Sequence, residues 1–546
     1  MIRGPAPVKI FVALLALLAA LDVLILTIRV IDVVTLGRLF LYPAEGPVLY
    51  AIWKVRHGHP LYEWPTRPYF ALTLYNFLFY KTYAAVFELL RVPNEATPVA
   101  GRLVTVAFAA AGAAAQYVAG RQVSPRSFRV PLALLSLVTW IGAVLPGWWA
   151  LAIRPDVPAA AISACAVAIV LTAFRLERPR LLVIAGFVFL LAWTFKQSQV
   201  ALFMATCAYV LLWRRSFNEL LLLATPVVTG AALALDIGGG VYRANVIHAP
   251  AVNTLIPYLA FYWYRSVALT DLLLWGMSLY AIVALARPGS VHGSLRSIAG
   301  VPDRSRKVFG ADLTYPSLAV LAAFAAGAVL LSKVGSALNH LLELDIAASL
   351  ACAAVLGSLW ETPKAARACA AGALMLVPMM MFDLALLQND SGPASRALLL
   401  KSWGVNLRLT TPQIVQQRQQ LAAVFASLPQ PVFTDDELFA QPWHATGNRY
   451  PTVMLDHVFY DAAQPKGLVG RGVEGLFADR YFAAAVVPDS SAFVVPAMRA
   501  GYRLVRTVPQ EGGEPLRVLL RGVNSTTPQL PTPNERPSPE LPKRPR

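Results

Sequence analysis

Residues Val8–Ile28 read VKIFVALLALLAALDVLILTI. As a helix rising 1.5 Å per residue, this run is long enough to cross a hydrocarbon core of ~30 Å. A cleavable signal peptide has a shorter apolar core followed by a small-x-small site, and no such site follows here. The run is therefore a retained membrane span. Further apolar runs recur as far as Leu387, each bounded by Arg/Lys or Pro/Gly clusters. The chain reads as an all-α polytopic membrane domain of about eleven transmembrane helices, expected at 8–28, 98–119, 130–147, 156–174, 180–196, 198–213, 218–236, 268–286, 314–332, 338–359 and 366–387.

Composition agrees: of 546 residues, 57% are hydrophobic and 14% charged, too few charges for a soluble surface. The net charge of +17 invites a nucleic-acid reading, but the basic residues sit in clusters. Arg121, Arg126 and Arg129 share one loop, and Arg175, Arg178 and Arg180 another. Arg214 with Arg215, Arg287 to Lys307, and Lys364 with Arg367 mark three more. These fall after every second span, the pattern of cytoplasmic loops. The charge records topology: a multi-pass inner-membrane protein with a cytoplasmic N-terminus, an extracytoplasmic segment from Gln388, and no nucleic-acid partner. Cys165, Cys207, Cys352 and Cys369 all lie in apolar spans and form neither a disulfide framework nor a CxxC pattern.

Three regions follow: a transmembrane domain over 1–390, an extracytoplasmic α/β domain over 391–522, and a Pro-rich disordered tail over 523–546. The long first outer loop, 29–97, holds aromatic-rich Tyr69–Leu90, expected to lie in the membrane interface rather than to span. A second outer stretch, Gly238–Ser266, carries Tyr258, Tyr262, Trp263, Tyr264 and Arg265 as an interfacial aromatic belt. In the C-terminal part, Pro412–Ser427 reads as a helix. Pro431–Thr434, Ala483–Val487, Tyr502–Thr507 and Leu516–Leu520 read as strands. Thr434 and Glu437 fit a capping box, and His444, Asp456 and His457 lack metal-ligand spacing.

Ionisable groups at the outer ends of spans are costly and so are candidates for function. Glu45 lies in Leu41-Tyr-Pro-Ala-Glu-Gly-Pro-Val-Leu-Tyr50, upstream of Gly58-His-Pro-Leu-Tyr62. It is either a general base with its pKa raised by desolvation or an acid that stabilises a helix start. In Arg154-Pro-Asp156, Asp156 either caps the next span or orients Arg154, or a metal, toward a phosphate. Lys196, followed by Gln197, either snorkels to the headgroups or serves as a point charge for a lipid phosphate. Asn339, His340 and Glu343, with Lys333, surround a hairpin, and Asn339 and Glu343 share a helix face. A glutamate one turn inside the membrane favours a functional role.

This constellation resembles the GT-C superfamily of integral-membrane glycosyltransferases over roughly residues 9–400. The motifs concerned are an acid early in the long first outer loop, a downstream Gly-x-Pro-Leu-Tyr, Arg-Pro-Asp in the second loop, and a later Lys-Gln. It is most similar to bacterial relatives of protein mannosyltransferases and aminoarabinose transferases. Family members often carry Asp-Glu where this chain has Ala44-Glu45; some keep a single acid. The resemblance implies inverting transfer of a sugar from a polyprenyl-phosphate donor to a glycan, lipid or protein acceptor on the outer face. It implies Glu45 as catalytic base and Arg154, Lys196 and Arg265 as donor-phosphate ligands. Asp156, Gln197, Asn339, His340, Glu343 and Tyr62 would support them. Some members use a divalent metal, and no metal site is evident in the sequence. The competing readings are a transporter or flippase of lipid-linked sugars and an inactive membrane scaffold.

The assignment of sides is directly testable. A reporter fused after Gln388 should read extracytoplasmic, and one inserted within 293–305 cytoplasmic; the opposite result at either point contradicts the topology.

Overall fold

The computed structural model describes residues 5–36, 45–64, 72–142, 149–286 except 252, 313–387 except 334, 335 and 337, part of 416–434, 472–509 and 514–522. In chain order the helices are α1 (Ala6–Leu36), α2 (Glu45–Arg56), α3 (Phe77–Leu89), α4 (Thr97–Val123), α5 (Arg129–Ile141), α6 (Asp156–Leu176) and α7 (Leu181–Phe195). There follow α8 (Ala201–Ala208, continued as a π-helix over Tyr209–Arg214), α9 (Phe217–Ile237), α10 (Pro257–Val267), α11 (Leu272–Ala286), α12 (Thr314–Leu331), α13 (Leu342–Leu359) and α14 (Ala365–Leu387).

Among the described residues seven helices are long and apolar enough to cross a membrane: Ala6–Thr35, Thr97–Val123, Asp156–Leu176, Phe217–Ile237, Thr314–Leu331, Leu338–Leu359 and Ala365–Ala385. The span expected at 268–286 is one arm of a broken element. Pro257–Val267, which the sequence places in an outer loop, and Leu272–Leu285 meet at 113°. Leu181–Phe195, Ala201–Arg214 and α5 are shorter apolar helices at the other expected positions.

Burial orders the bundle. Of the most apolar stretch of α9 only 11% is buried, so this helix lies at the edge of the bundle. Those of α6 and of the Leu338–Leu359 span are 72% and 94% buried, so these two form its centre. Small residues let the helices around them approach closely. A Cβ at Gly112 on α4 would lie 2.4 Å from the ring of Trp140 on α5. The polar residues that open α6 and the Leu338–Leu359 span are thereby fixed against each other.

Helix α3 is too short to span. Its aromatic face is taken up by protein: Phe79, Tyr80, Tyr83 and Phe87 are buried in one cluster with Val48, Leu49 and Ile52 of α2 and Phe195 of α7. Helix α3 therefore braces α2 against the bundle.

The described C-terminal elements form a mixed sheet of β1 (Val432–Thr434), β2 (Ala484–Pro488), β3 (Tyr502–Val508) and β4 (Leu516–Arg521), in the order β1-β2-β4-β3. Strands β1 and β2 are parallel; the other two pairings are antiparallel. Alternation covers both faces. Ala485 and Val487 pack with Phe477 and Val494 on one side, while Ala484 and Val486 pack with Val424 on the other. The boundary at 390, the capping-box residues after Thr434, His444, Asp456, His457 and the tail from 523 lie outside the described residues.

Candidate active site

Asp156 is the first residue of α6, yet its carboxylate makes no capping bond to its own helix. It is 1% exposed and accepts hydrogen bonds from three directions. One oxygen takes the Lys196 ammonium from the end of α7 and the Asn339 amide from the 3-10 turn Leu338–Leu341. The other takes Arg154 Nε at 3.1 Å. A buried carboxylate is tolerable only when paired and hydrogen-bonded, and this one is saturated. The capping reading of Asp156 and the snorkelling reading of Lys196 both give way to this ion-pair cluster.

Arg154 is aimed by a second set of contacts. Its Nη2 donates to the Tyr75 hydroxyl at 2.6 Å, and its guanidinium lies 5.0 Å over the Trp149 ring. Arg154 is 14% exposed, against 5% for Lys196, so it is the cation more open to a ligand. Tyr75 is held in turn: its carbonyl accepts from the Tyr62 hydroxyl at 2.8 Å. Burial, and then neighbouring Tyr80 and Tyr242, push the Tyr62 pKa well above its ordinary value, which keeps it a neutral donor. Gln197 Nε2 donates to the carbonyls of Leu74 and Val246, at 2.8 and 3.1 Å, and so ties the segment before α3 to the segment after α9.

Glu45 occupies a different position. It is fully buried at the start of α2, where Arg102 of α4 grips it with Nη2 at 2.6 Å and Nε at 3.2 Å. Its Oε1 also accepts the backbone N–H of Ile153 at 2.7 Å. Glu45 thus holds the residue that precedes Arg154. Nearby, burial pulls the Lys54 ammonium below its usual range and Glu63, 3.6 Å away, partly restores it. Lys54 donates to the Leu61 carbonyl at 2.8 Å and secures the turn that carries Tyr62.

Glu343 accepts the N–H groups of Ala201 and Leu202, at 3.2 and 3.1 Å, and is thereby the anion at the N-terminus of α8. That is a structural role for a residue whose position suggested function. His340 is within electrostatic reach of Lys196, Asp156, Arg154 and Lys333. Arg265 is exposed on α10, and no described hydrogen bond or ion pair links it to the cluster. Among the described residues, no three His, Cys, Asp or Glu side chains group for a metal ion.

Sequence reading missed Arg102, although an arginine inside an apolar span is itself a signal that a buried acid faces it. It also passed over a second buried set away from this cluster: Asp22 and Arg29 of α1, Asp271 at the α10–α11 break, Asp345 of α13 and Asp383 of α14.

No protein-family profile and no curated protein sequence matches the chain. Solved structures do match. ArnT from Cupriavidus metallidurans bound to undecaprenyl phosphate aligns at a TM-score of 0.52 and 13% identity, over 91% of this chain and 97% of ArnT. Its apo form aligns at 0.51 and 15% identity, with the same coverage. The Archaeoglobus fulgidus oligosaccharyltransferase tethered to an acceptor peptide aligns at 0.51 and 12% identity, over 93% of this chain and 74% of that one. The chain shares their fold.

The Glu45–Arg102 pair gives a stability prediction. Removing one partner of a buried pair leaves an uncompensated charge, at a cost of about 3–5 kcal/mol, whereas replacing both by apolar residues is often close to neutral. Arg102→Met should therefore lower the thermal midpoint in detergent more than Glu45→Met/Arg102→Met does. A double variant no more stable than the single one contradicts the pairing.

Proposed function

We propose that the chain transfers a glycosyl group, with inversion, from a polyprenyl-phosphate donor to an acceptor on the extracytoplasmic face. The observation that carries this reading is the pair of cations, Arg154 and Lys196, set side by side by one buried carboxylate where the two central spans begin. Glycosyl transfer from such a donor breaks the bond between the anomeric carbon and a phosphate oxygen, and negative charge grows on the departing phosphate. Fixed cations in a site of low dielectric stabilise that charge without reorganising. Arg154, the more exposed of the two cations, is the one placed to meet an anion. The shared fold supports the reading, since the ArnT structure holds undecaprenyl phosphate.

For Glu45 to act as the base that deprotonates the acceptor, its pair with Arg102 must open. In the closed pair it positions Ile153 and hence Arg154, and we assign it that part. The two roles differ in pH dependence: loss of a general base removes about 10²–10⁴-fold of rate together with one limb of the pH–rate profile. Glu45→Gln should lower transfer while leaving that limb in place.

The transporter reading has one observation on its side, the 113° break between α10 and α11, because broken helices are common in transporters. Movement of a fluorescent polyprenyl-phosphate sugar across proteoliposomes, without transfer to any acceptor, would establish it over ours.

The phosphate assignment makes a prediction that separates the two cations. Arg presents a rigid fork to phosphate oxygens, and Lys a mobile point charge. Arg154→Lys keeps the charge but loses the fork, and should weaken undecaprenyl phosphate binding in a lipid titration; Lys196→Arg should be better tolerated. Unchanged affinity in both Arg154→Ala and Lys196→Ala would remove both residues from the donor site.

A further inference from the structure

Three amide side chains around the cluster keep an unused end. Asn339 donates its Nδ2 to Asp156, which fixes its Oδ1 as the opposite end. Gln197 donates its Nε2 to two carbonyls, which fixes its Oε1 in the same way. Among the described residues nothing donates to either oxygen, and nothing accepts from Gln199 Nε2. Asn339 is 4% exposed and Gln199 7%. A buried polar atom without a partner costs free energy, and three of them near one ion-pair cluster, on residues 197, 199 and 339, call for a ligand.

The chemistry of the orphaned atoms narrows that ligand. Two are carbonyl oxygens, which only accept; one is an N–H, which only donates. A lipid phosphodiester carries no O–H at neutral pH and cannot satisfy the carbonyls. Sugar hydroxyls donate and accept, so they satisfy both kinds. Residues 197 and 199 follow Lys196 in one turn, in which Gln199 N–H donates to the Lys196 carbonyl at 3.0 Å, and Asn339 shares Asp156 with Lys196. We propose that Asn339, Gln197 and Gln199 form a subsite that reads hydroxyls of the donor's sugar beside the phosphate held by Arg154 and Lys196. The subsite rests on the donor reading above and extends it to the headgroup.

A site built to hydrogen-bond a hydroxyl discriminates strongly against the analogue that lacks it. The full chain in nanodiscs would be titrated with bare undecaprenyl phosphate, with its gluco-, manno- and galacto-hexose conjugates, and with their 2-, 3-, 4- and 6-deoxy analogues. At least one deoxy analogue should bind about tenfold or more weakly than its parent. Gln197→Leu and Asn339→Leu should each shrink that gap, read as the ratio of parent to deoxy affinity within each variant. The deoxy series on the unmodified chain stands by itself if a variant fails to fold. Equal binding of every deoxy analogue and its parent overturns the subsite and leaves the amides to water, while binding of the bare lipid phosphate still upholds the donor reading. If the bare lipid and all conjugates fail to bind, the donor reading falls and the subsite with it.

Discussion

The Asp156 carboxylate is the point on which the candidate site depends. Lys196 reaches it from 40 residues away in sequence and Asn339 from 183. Three segments that the chain lays down far apart are tied at one buried anion. In a medium of low dielectric an unpaired charge is prohibitive, so the carboxylate compels its partners to converge. Convergence at the first residues of the two most buried spans in turn fixes where two cations stand. A ligand phosphate would meet a site whose charges are already in place.

The same constraint shapes the layer beneath. Glu45 and Arg102 are each fully buried and neutralise one another. Oε1, which also accepts from Arg102 Nε, holds the Ile153 amide, so a pair with no exposure still acts on the next residue, Arg154, through the backbone. Tyr62, Tyr75 and Gln197 do the equivalent from the other side, by neutral hydrogen bonds. The segment between α1 and α4 is thus stitched to the bundle at several places, which makes it part of the site rather than a cover laid over it.

Much of the helical framework was legible in the sequence, because apolar run length follows directly from the cost of crossing lipid. The strands also fell where alternation placed them, from Val432, Ala484, Tyr502 and Leu516. The order β1-β2-β4-β3 did not, since strand neighbours are chosen in three dimensions. Within the site, residue type and position drew attention to Arg154, Asp156, Lys196 and Asn339, and the structure joins all four. Sequence spacing carried no sign of that joining, nor of the Arg102 that meets Glu45 across 57 residues. Arg265 shows the converse: a plausible cation in the sequence that lies on an exposed face of α10.

The central claim, that Asp156 organises the cations rather than merely balancing them, makes an unusual prediction of sign. Asp156→Asn removes a negative charge and makes the site more positive, but it takes away the anchor shared by Lys196 and Arg154. Binding of undecaprenyl phosphate to the folded variant in nanodiscs, measured by native mass spectrometry, should fall about tenfold or more, the scale on which charge-assisted hydrogen bonds act. Affinity that rises or holds steady would mean that net charge alone attracts the lipid, and would contradict the account.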